Sequence, residues 1–265
     1  MCLFNSNNSE IVILKQQITD LTNKNNDLLK HTSDLNITID SINILNKQLT
    51  FDIATIKSQL EEKKNPLEEF WNNKRPKANV YYKGRPLIGS TTNIDLDLRN
   101  FINPNDCRIP NIQGLNDDEK AINGLKWVHN NFKYVADKTQ WGMSELWQFP
   151  FESLQTLKGD CEDGAILLYN ILLKSGIQYW KLRLNAGDVK GGGHCWLTYL
   201  RESDNSWVIL DWCYWTDLQP IATRKKYNEM ENYFDIWFSW NQKYCFNDTV
   251  YVGINGLDDK IIIQR

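Results

Sequence analysis

The sequence lacks the features that mark several broad classes of protein. No apolar run reaches about 18 residues, so a transmembrane helix is not predicted. Thirty Lys and Arg residues against 33 Asp and Glu give a formal net charge of −3, which is not the basic surface expected of a nucleic-acid-binding protein. The N-terminus has neither a basic start nor a long apolar core. No signal peptide is therefore recognised, and we expect a cytoplasmic location.

Cysteine is scarce and scattered along the chain. The six cysteines are Cys2, Cys107, Cys161, Cys195, Cys213 and Cys245. No CxxC pair occurs, which argues against a zinc ribbon and against a thioredoxin-type motif. A zinc site using Cys161, His194, Cys195 and Cys213 lacks ligand spacing, so we expect neither a metal nor a cofactor. The low density of cysteine indicates reduced thiols, although the even count leaves disulfides open.

The N-terminal quarter of the chain carries a seven-residue repeat of apolar residues. With Ile11 as position a, the a positions are Ile11, Ile18, Asn25, Thr32, Ile39, Asn46, Ile53 and Leu60. The d positions are Leu14, Leu21, Leu28, Leu35, Ile42, Leu49 and Ile56. Seven heptads without proline or glycine predict a coiled coil, so we expect residues 1–64 to form an oligomerisation stalk.

The residues of this repeat also favour one kind of oligomer. Ile is the commonest residue at a and Leu at d, and Asn25 and Asn46 occupy two a positions. This pattern favours a parallel dimer, because buried Asn pairs fix the register, and a trimer is the alternative. No basic region precedes the repeat, so a bZIP-type DNA-binding protein is a poor fit.

The segment after the repeat is predicted to be irregular. Asn65-Pro66 should end the rod, since proline cannot continue a helix and disfavours helical geometry in the residue before it. Five of the seven prolines lie between Pro66 and Pro110, among short strand-like pieces without a clear period. We therefore expect residues 65–112 to be a connector and residues 113–265 to be the globular domain.

Periodicity predicts several elements of the globular domain. Asn116 begins a capping-box pattern, and the apolar stripe after it predicts a helix to about Lys133 that carries a surface or core-edge His129. Lys226–Tyr244 has aromatic residues at helical spacing and is predicted to be a packing helix. The predicted strands are Ile177–Leu184, which alternates as a half-buried strand does, His194–Leu200, Trp207–Trp212, Val250–Ile254 and Lys260–Ile263.

One cysteine stands at the start of another predicted helix. Cys161 directly follows Gly159-Asp160 and precedes the apolar run Ile166–Leu173, and Asp160 and Asp163 are spaced as in a variant capping box. The helix should end at Ser175-Gly176. First-turn amides and the helix dipole favour an anion, so we expect this thiol to ionise near neutral pH. A nucleophile also needs a base and an orienting acid.

His194 and Asp211 can supply that base and that acid. Centring the turn of the predicted hairpin between Ser203 and Asp204 puts His194 opposite residue 213. Asp211 is then two positions away, on the same face of the sheet and within reach of the imidazole. The helix that begins at Cys161 could pack against that face and bring the three side chains together.

These motifs resemble the transglutaminase-like superfamily, whose fold is papain-like. GDCED around Cys161, HCWLTY at His194 and WVILDW at Asp211 follow the Cys-His-Asp order of that superfamily. WQFPFESLQTLKGDCEDGAILL is especially similar to bacterial transglutaminase-like cysteine proteinases and related bacteriophage proteins. The resemblance covers about residues 116–215. It implies an α+β fold with a Cys-bearing helix packed on an antiparallel sheet, and a virion-associated location if the chain is phage-encoded.

The predicted chemistry is acyl transfer at an amide bond. Cys161 would attack, His194 would hold its proton, and Asp211 would orient the imidazole. The oxyanion would bind the Cys161 backbone N–H and a second donor, either Gln148 or the indole of Trp147. We favour hydrolysis of a peptide, protein or cell-wall amide, because transamidation must also shield the thioester from water. The alternative is a stalked structural or virion protein with a non-catalytic head.

Overall fold

The chain divides into two units, which we describe separately. The computed structural model describes residues 4–62, 65–248 and 261–264. One unit comprises Met1–Lys64 and the other Asn65–Arg265, so the division falls where Asn65-Pro66 was expected to end the rod. No helix in the described ranges combines the length and the hydropathy that a membrane crossing requires.

The first unit is one long helix. Helix α1 runs over 59 residues, Phe4–Glu62, and confirms the helical part of the stalk prediction. Its a and d side chains between Ile11 and Ile53 are apolar for the most part, and those apolar side chains are 47–64% exposed in the single chain. An uncovered seam of this length is what a partner helix would bury. The coiled coil itself stays a prediction.

The second unit combines short helices with an antiparallel sheet, as the α+β prediction required. Its helices are α2 (Pro66–Asn73), α3 (Asp117–Asn131), α4 (Asp137–Gln140), α5 (Pro150–Thr156) and α6 (Cys161–Lys174). Its strands are β1 (Lys77–Pro86), β2 (Asn93–Asp97), β3 (Lys133–Tyr134), β4 (Lys158–Gly159), β5 (Leu182–Val189), β6 (Gly192–Leu200), β7 (Trp207–Leu210), β8 (Tyr233–Trp240), β9 (Cys245–Asn247) and β10 (Ile261–Gln264).

The main sheet has the order β10-β1-β9-β8-β5-β6-β7. Strand β2 also pairs with β1 but lies off this path. All of its described pairings are antiparallel, whereas β3 and β4 form a small parallel pair. Helix α6 packs on β6 and against α3. This arrangement is the Cys-bearing helix on an antiparallel sheet that the sequence predicted.

Helix α6 is the centre of the core. Every residue from Glu162 to Leu172 is buried, so the helix has no solvent face along most of its length. Burying one Leu or Ile side chain contributes about 1.5–3 kcal/mol, so a helix enclosed on all sides anchors the domain strongly. At the crossing with α3, a Cβ on Gly124 would lie 2.5 Å from Leu172 Cδ2, so a larger residue there would require the Leu172 side chain to move. The helix ends as predicted, with Gly176 at φ +90°.

Residues 65–112 do not form the irregular connector that was expected. They supply α2, β1 and β2, and β1 lies inside the main sheet between β9 and β10. Val80, Tyr82 and Arg85 of β1 are fully buried. Pro66, Pro76 and Pro86 lie at element ends, which is compatible with regular structure between them, whereas Pro104 and Pro110 lie in irregular segments. The globular unit therefore begins at Asn65 rather than at residue 113.

Two further elements differ from the prediction. Lys226–Tyr244 is not a helix, because Tyr227–Glu229 is a short 3₁₀ turn and β8 follows it. Its aromatic residues also fit an alternating pattern in which Phe238 and Trp240 are fully buried between β5 and β9. The strand expected over Ile177–Leu184 begins only at Leu182. That strand is buried on both faces, because the side chains of Arg183 and Asn185 are covered as well.

Two closing strands were predicted, and only one of them lies within the residues that the structure describes. Strand β10 pairs with β1 in the register Asn79↔Gln264 to Tyr82↔Ile261, close to the predicted strand Lys260–Ile263. The other predicted strand, Val250–Ile254, lies outside the described residues.

A buried ion pair joins β1 to α5 and can be tested. Arg85 Nη2 contacts Glu152 Oε2 with side chains 0% and 9% exposed, and Arg85 Nε donates to the Trp147 carbonyl at 2.8 Å. We expect Arg85→Met to lower the free energy of unfolding by about 3–5 kcal/mol, because it leaves a buried carboxylate unpaired. Urea unfolding of the full chain measures this.

The control for Arg85→Met is Lys83→Met. Lys83 pairs with Asp95 at 2.9 Å on the surface, so its loss should leave the free energy of unfolding nearly unchanged. Adding Glu152→Leu to Arg85→Met should recover much of the loss, since the unpaired charge is removed. Equal effects of the buried and the exposed single variants would contradict this account.

Candidate active site

Cys161 is the first residue of α6, as the sequence predicted. Asp163 Oδ2 accepts the Asp160 backbone N–H at 3.2 Å and so marks the helix start. The Trp212 indole N–H donates to the Cys161 carbonyl at 3.0 Å. A Cβ on Gly164 would lie 2.2 Å from the Trp212 ring, so glycine is required for the indole to pack on this turn. Helix and loop together fix the position of Cys161.

The β6–β7 hairpin has the predicted register. Leu197 pairs with Leu210 and Thr198 with Ile209, which is the pairing given by a turn centred between residues 203 and 204. His194 Nε2 donates to Asp211 Oδ2 at 2.8 Å, and both side chains are completely buried. The hairpin therefore brings together the two side chains that the sequence paired.

Asp211 accepts hydrogen bonds from several directions. Besides His194, its Oδ2 accepts the Tyr233 hydroxyl at 2.7 Å. Its Oδ1 accepts the backbone N–H groups of Cys213 at 3.0 Å and Tyr214 at 3.2 Å. Burial alone would raise the pKa of Asp211, but the His194 and Cys213 N–H contacts and the Tyr233 hydroxyl outweigh burial and hold that pKa below its usual value. The side chain is thus a carboxylate at neutral pH.

His194 has one ring nitrogen committed and one available. Because Nε2 donates to Asp211, Nδ1 is the nitrogen that can accept a proton. Nδ1 is buried and has no hydrogen-bond partner among the described residues. The Tyr214 ring stacks on the imidazole at 4.2 Å between centroids and 1° between planes. The imidazole is therefore held in place by Asp211 at one edge and by Tyr214 on one face.

Cys161 and His194 line the same cleft, of about 250 Å³. Aromatic rings form much of its wall, and carboxylates are its only charged groups apart from the histidine. Its lining is Tyr134, Glu145, Trp147, Asp160, Cys161, Glu162, Ala186, Gly193, His194, Cys195, Tyr214 and Trp237. The Cys161 thiol donates to Glu162 Oε2 at 3.4 Å. The thiol and the imidazole are therefore both at the wall of one cleft.

The electrostatic setting of Cys161 differs from the expectation. Burial and then the Asp160 carboxylate raise the pKa of the Cys161 thiol, while a hydrogen bond from the Cys195 backbone N–H lowers it and Glu145 raises it further. The helix start was expected to favour the thiolate. The carboxylates beside it oppose ionisation instead, so the thiol needs a group that takes its proton or a cation that offsets the negative charge.

An acidic cluster that was not predicted from the sequence surrounds this helix start. One carboxylate oxygen each from Asp137, Asp160, Glu162 and Asp163 lie within 4.8 Å of one another. Asp160 Oδ1 and Glu162 Oε1 are buried and accept no hydrogen bond from any residue that the structure describes. Burial and then the Asp160 charge raise the pKa of both Glu162 and Asp163 well above the ordinary value. In the sequence, the string DCED indicates three of these four carboxylates. Asp137 is distant from that string and could not be grouped with it.

The two oxyanion candidates lie in different places. Gln148 is fully buried and is absent from the cleft lining, and its Nε2 donates to the Lys158 carbonyl at 3.0 Å and to Asp163. Trp147 does line the cleft, and its indole N–H donates to the Glu145 carboxylate. Only Trp147 is therefore near the substrate space, and its donor is already engaged.

The remaining residues of interest lie around the site. Cys195 is a largely buried residue of the cleft lining, and Cys213 lies with His194 and Asp211 in a group whose ligand atoms are within 4.8 Å of one another. This group shares only His194 and Cys213 with the zinc set considered above. His129 is exposed, with Nδ1 3.3 Å from the Trp212 carbonyl, and does not line the cleft.

A family model described as a transglutaminase-like domain matches residues 109–229. The globular unit holds a transglutaminase-like domain. The resemblance seen in the motifs is thereby confirmed, and the matched residues of this transglutaminase-like domain include Cys161, His194 and Asp211. The match begins after β1 and ends before β8, so those strands lie outside it.

Solved structures similar to the transglutaminase-like domain include LapG of Legionella pneumophila, in an EGTA-treated form. It is 20% identical over 48% of this chain and 64% of that one, with a TM-score of 0.39. The calcium-bound form is 22% identical over 52% and 75%, with a TM-score of 0.38. A Cytophaga hutchinsonii protein described provisionally as a cysteine protease is 18% identical over 59% and 55%, with a TM-score of 0.28. Scores this low carry no argument about activity.

The match to LapG is partial in length. This chain spans 64% of the EGTA-treated Legionella protein. No match was found among curated proteins.

Proposed function

We propose that the transglutaminase-like domain is a cysteine peptidase or amidase that uses Cys161, His194 and Asp211. The observation that carries the proposal is the buried 2.8 Å contact between His194 Nε2 and Asp211. It leaves Nδ1 without a partner among the described residues, on a side chain that lines the same cleft as Cys161. A thiol and an oriented imidazole at one cleft are the parts that nucleophilic acyl transfer needs.

The reaction begins with proton transfer from Cys161 Sγ to His194 Nδ1. The thiolate attacks the amide carbonyl carbon, and the resulting imidazolium gives its proton to the departing amine as the C–N bond breaks. This leaves a thioester on Cys161. Water then attacks the thioester while His194 Nδ1 takes a proton from it, and the carboxylic acid leaves with the thiol restored. Asp211 holds Nε2–H throughout and stabilises the imidazolium.

The oxyanion of each tetrahedral intermediate needs two donors. The Cys161 backbone N–H, at the start of α6, is the first. Trp147 is the better second donor of the two predicted, because it lines the cleft whereas Gln148 donates to Lys158 and Asp163. Its indole N–H would have to leave Glu145 for the oxyanion. When substrate binds, the indole N–H of Trp147 would thus exchange the Glu145 carboxylate for the oxyanion as its acceptor.

Hydrolysis is favoured over transfer to an amine. Transamidation requires a second bound substrate and a thioester shielded from water. The substrate class is a peptide or protein amide, with cell-wall peptides included, since all present the same carbonyl. An amine acceptor in place of water would make the same thioester a transglutaminase intermediate.

The acidic cluster fits a hard divalent cation, for which we propose Ca²⁺. Carboxylate oxygens are the ligands that Ca²⁺ takes, in flexible geometry. Two of them, Asp160 Oδ1 and Glu162 Oε1, are buried without a donor among the described residues, and an uncompensated buried charge is costly. Asp137, Asp160, Glu162 and Asp163 would hold the ion. Bound there, Ca²⁺ would offset the negative charge that opposes ionisation of Cys161.

We also propose that the rod joins two copies of the chain in parallel. Its apolar a and d side chains are about half to two-thirds exposed in one chain, and a second copy would cover them. Asn25 and Asn46 at a would meet their own counterparts only in a parallel, in-register pair. The domain would then be displayed in two copies on one stalk.

The first prediction concerns the reactivity of Cys161. In the full chain at pH 7, His194→Ala should slow alkylation of Cys161 by iodoacetamide about tenfold or more, because the imidazole no longer takes the thiol proton. Mass spectrometry of the Cys161 peptide separates this reaction from that of the exposed Cys107. His129→Ala, which changes an exposed histidine outside the cleft, is the control. Equal rates in all three proteins would leave the non-catalytic interaction protein as the better interpretation.

The second prediction concerns the cation. Ca²⁺ at a hundredfold excess over Kd should raise the midpoint of thermal unfolding by about 5 °C or more relative to EGTA. Glu162→Gln should abolish most of this difference, because it removes a ligand charge. Glu231→Gln, at an exposed carboxylate away from the cluster, should retain it. A midpoint that is independent of Ca²⁺ in the unaltered protein would exclude the site.

The third prediction concerns the rod. Analytical ultracentrifugation of the full chain should give the mass of a dimer, and Leu35→Glu should give that of a monomer, because it places charges in the seam at a d position. Ser33→Glu adds the same charge at position b and should stay dimeric. A monomeric unaltered chain would contradict the proposal, and a trimeric mass would select the alternative oligomer.

A further inference from the structure

Tyr233 contacts the centre of the site from an element that sequence reasoning had misassigned. It is the first residue of β8, and its side chain is buried. Its hydroxyl donates to Asp211 Oδ2 at 2.7 Å, and that oxygen also accepts His194 Nε2–H at 2.8 Å. Two donors from different parts of the chain therefore share one carboxylate oxygen.

The direction of this hydrogen bond is fixed by the groups involved. Asp211 is a carboxylate and can only accept, so the Tyr233 hydroxyl donates. Burial and then the Asp211 charge raise the pKa of Tyr233 far above its usual value, so the phenol keeps its proton. The bond thus persists at any pH at which Asp211 is ionised.

The Tyr233 ring is held on two sides by indoles. Trp196 lies 5.1 Å from it between centroids at an interplanar angle of 60°, and Trp215 lies 5.4 Å from it at 67°. Edge-to-face contacts of this kind favour one ring orientation. Trp215 in turn packs against Tyr214, the ring that stacks on His194. The phenol is therefore a preorganised donor rather than a mobile one.

We propose that Tyr233 is a positioning residue, which orients the Asp211 carboxylate and takes up part of its charge. Without this donor, Asp211 Oδ2 would keep only the His194 Nε2–H as a partner, and more of the carboxylate charge would fall on that group. With it, the carboxylate presents Oδ2 to the imidazole in one geometry and holds the imidazolium less tightly. The importance of this for turnover rests on the proposed function, whereas the effect on His194 does not.

The groups that face the pair from the surrounding elements are few. The His194–Asp211 pair meets charges or titratable side chains from α6, from β6, from the loop after β7 and from β8. These are Asp160, Cys161, Cys195, Cys213, Tyr214 and Tyr233, together with Glu145 from the segment before α5. None of the others donates a side-chain O–H to Asp211 Oδ2, so removing the Tyr233 hydroxyl isolates one interaction among the described residues.

The test is the imidazole titration of His194 in the full chain, followed by NMR with ¹⁵N-labelled histidine. The sequence has three histidines, so the resonance can be assigned by substitution. Tyr233→Phe should raise the titration midpoint by about half to one pH unit, because the carboxylate then gives more of its charge to the imidazolium. Tyr227→Phe is the matched control, since Tyr227 packs on the same small apolar cluster without donating to Asp211. It should leave the midpoint unchanged.

A second substitution covers the case in which Tyr233→Phe does not fold. Difluorotyrosine at position 233 keeps the ring and makes the phenol a stronger donor, so the midpoint should move down. Opposite shifts for the two changes support the proposal. An unchanged midpoint with difluorotyrosine, or equal effects of Tyr233→Phe and Tyr227→Phe, overturns it. Neither result depends on turnover or on Cys161 alkylation, so this proposal and the proposed function can fail separately.

Discussion

A single buried carboxylate ties the cleft to the core of the domain. Asp163 is fully buried, and it accepts the Gln148 backbone N–H at 2.7 Å, the Gln148 side-chain amide and the Asp160 backbone N–H at 3.2 Å. Those donors come from the segment that carries Trp147 and from the turn that carries Cys161. One side of the cleft is therefore held to the helix start by one acid. The β6–β7 hairpin, packed on the same helix, supplies the other side.

This construction places negative charge where the chemistry requires a thiolate. Asp160, Glu162 and Asp163 surround Cys161 in sequence and in space, and Glu145 lies across the cleft. Asp163 serves the fold by binding backbone donors, and the carboxylates together oppose the charge that the proposed nucleophile must carry. In the proposed function, His194 would offset that opposition by taking the proton, and the proposed cation would offset it by reducing the negative field. The fold thus uses carboxylates next to Cys161, whereas the proposed reaction requires a thiolate there, and the two requirements conflict.

The local parts of the site could be predicted from sequence, and the non-local parts could not. The start of α6 is marked by its capping residues and apolar run, and the β6–β7 register follows from the position of one polar turn. Both depend on residues close together in the chain. Strand β1 pairs with β9 and β10 across the length of the unit, so no local period revealed it. Strand β8 was mistaken for a helix because Tyr227, Phe234 and Trp237 have helical spacing, whereas Phe238 and Trp240 have the two-residue spacing of a strand.

The same difference between local and non-local contacts explains which residues of the candidate site were not predicted. Tyr233 lies 22 residues beyond Asp211, on the misassigned strand, so its hydroxyl could not be placed near His194 and Asp211. Asp137 joins the acidic cluster from α4, which has only four residues and little periodicity to detect. Gln148 was a reasonable oxyanion candidate by sequence alone. Its side chain turns instead to Asp163 and Lys158, because a buried amide takes the partners that the fold offers.

The position of β1 has a consequence for the order in which the protein can be completed. This early strand lies between β9 and β10, which follow it by more than 150 residues in the chain. During synthesis, β1 therefore cannot complete its pairing in the sheet until those residues have left the ribosome. The hairpin with β2, bulged between Tyr82 and Arg85, is the pairing that β1 can form at once. That hairpin would shield the nascent chain from pairing with its neighbours before the sheet closes.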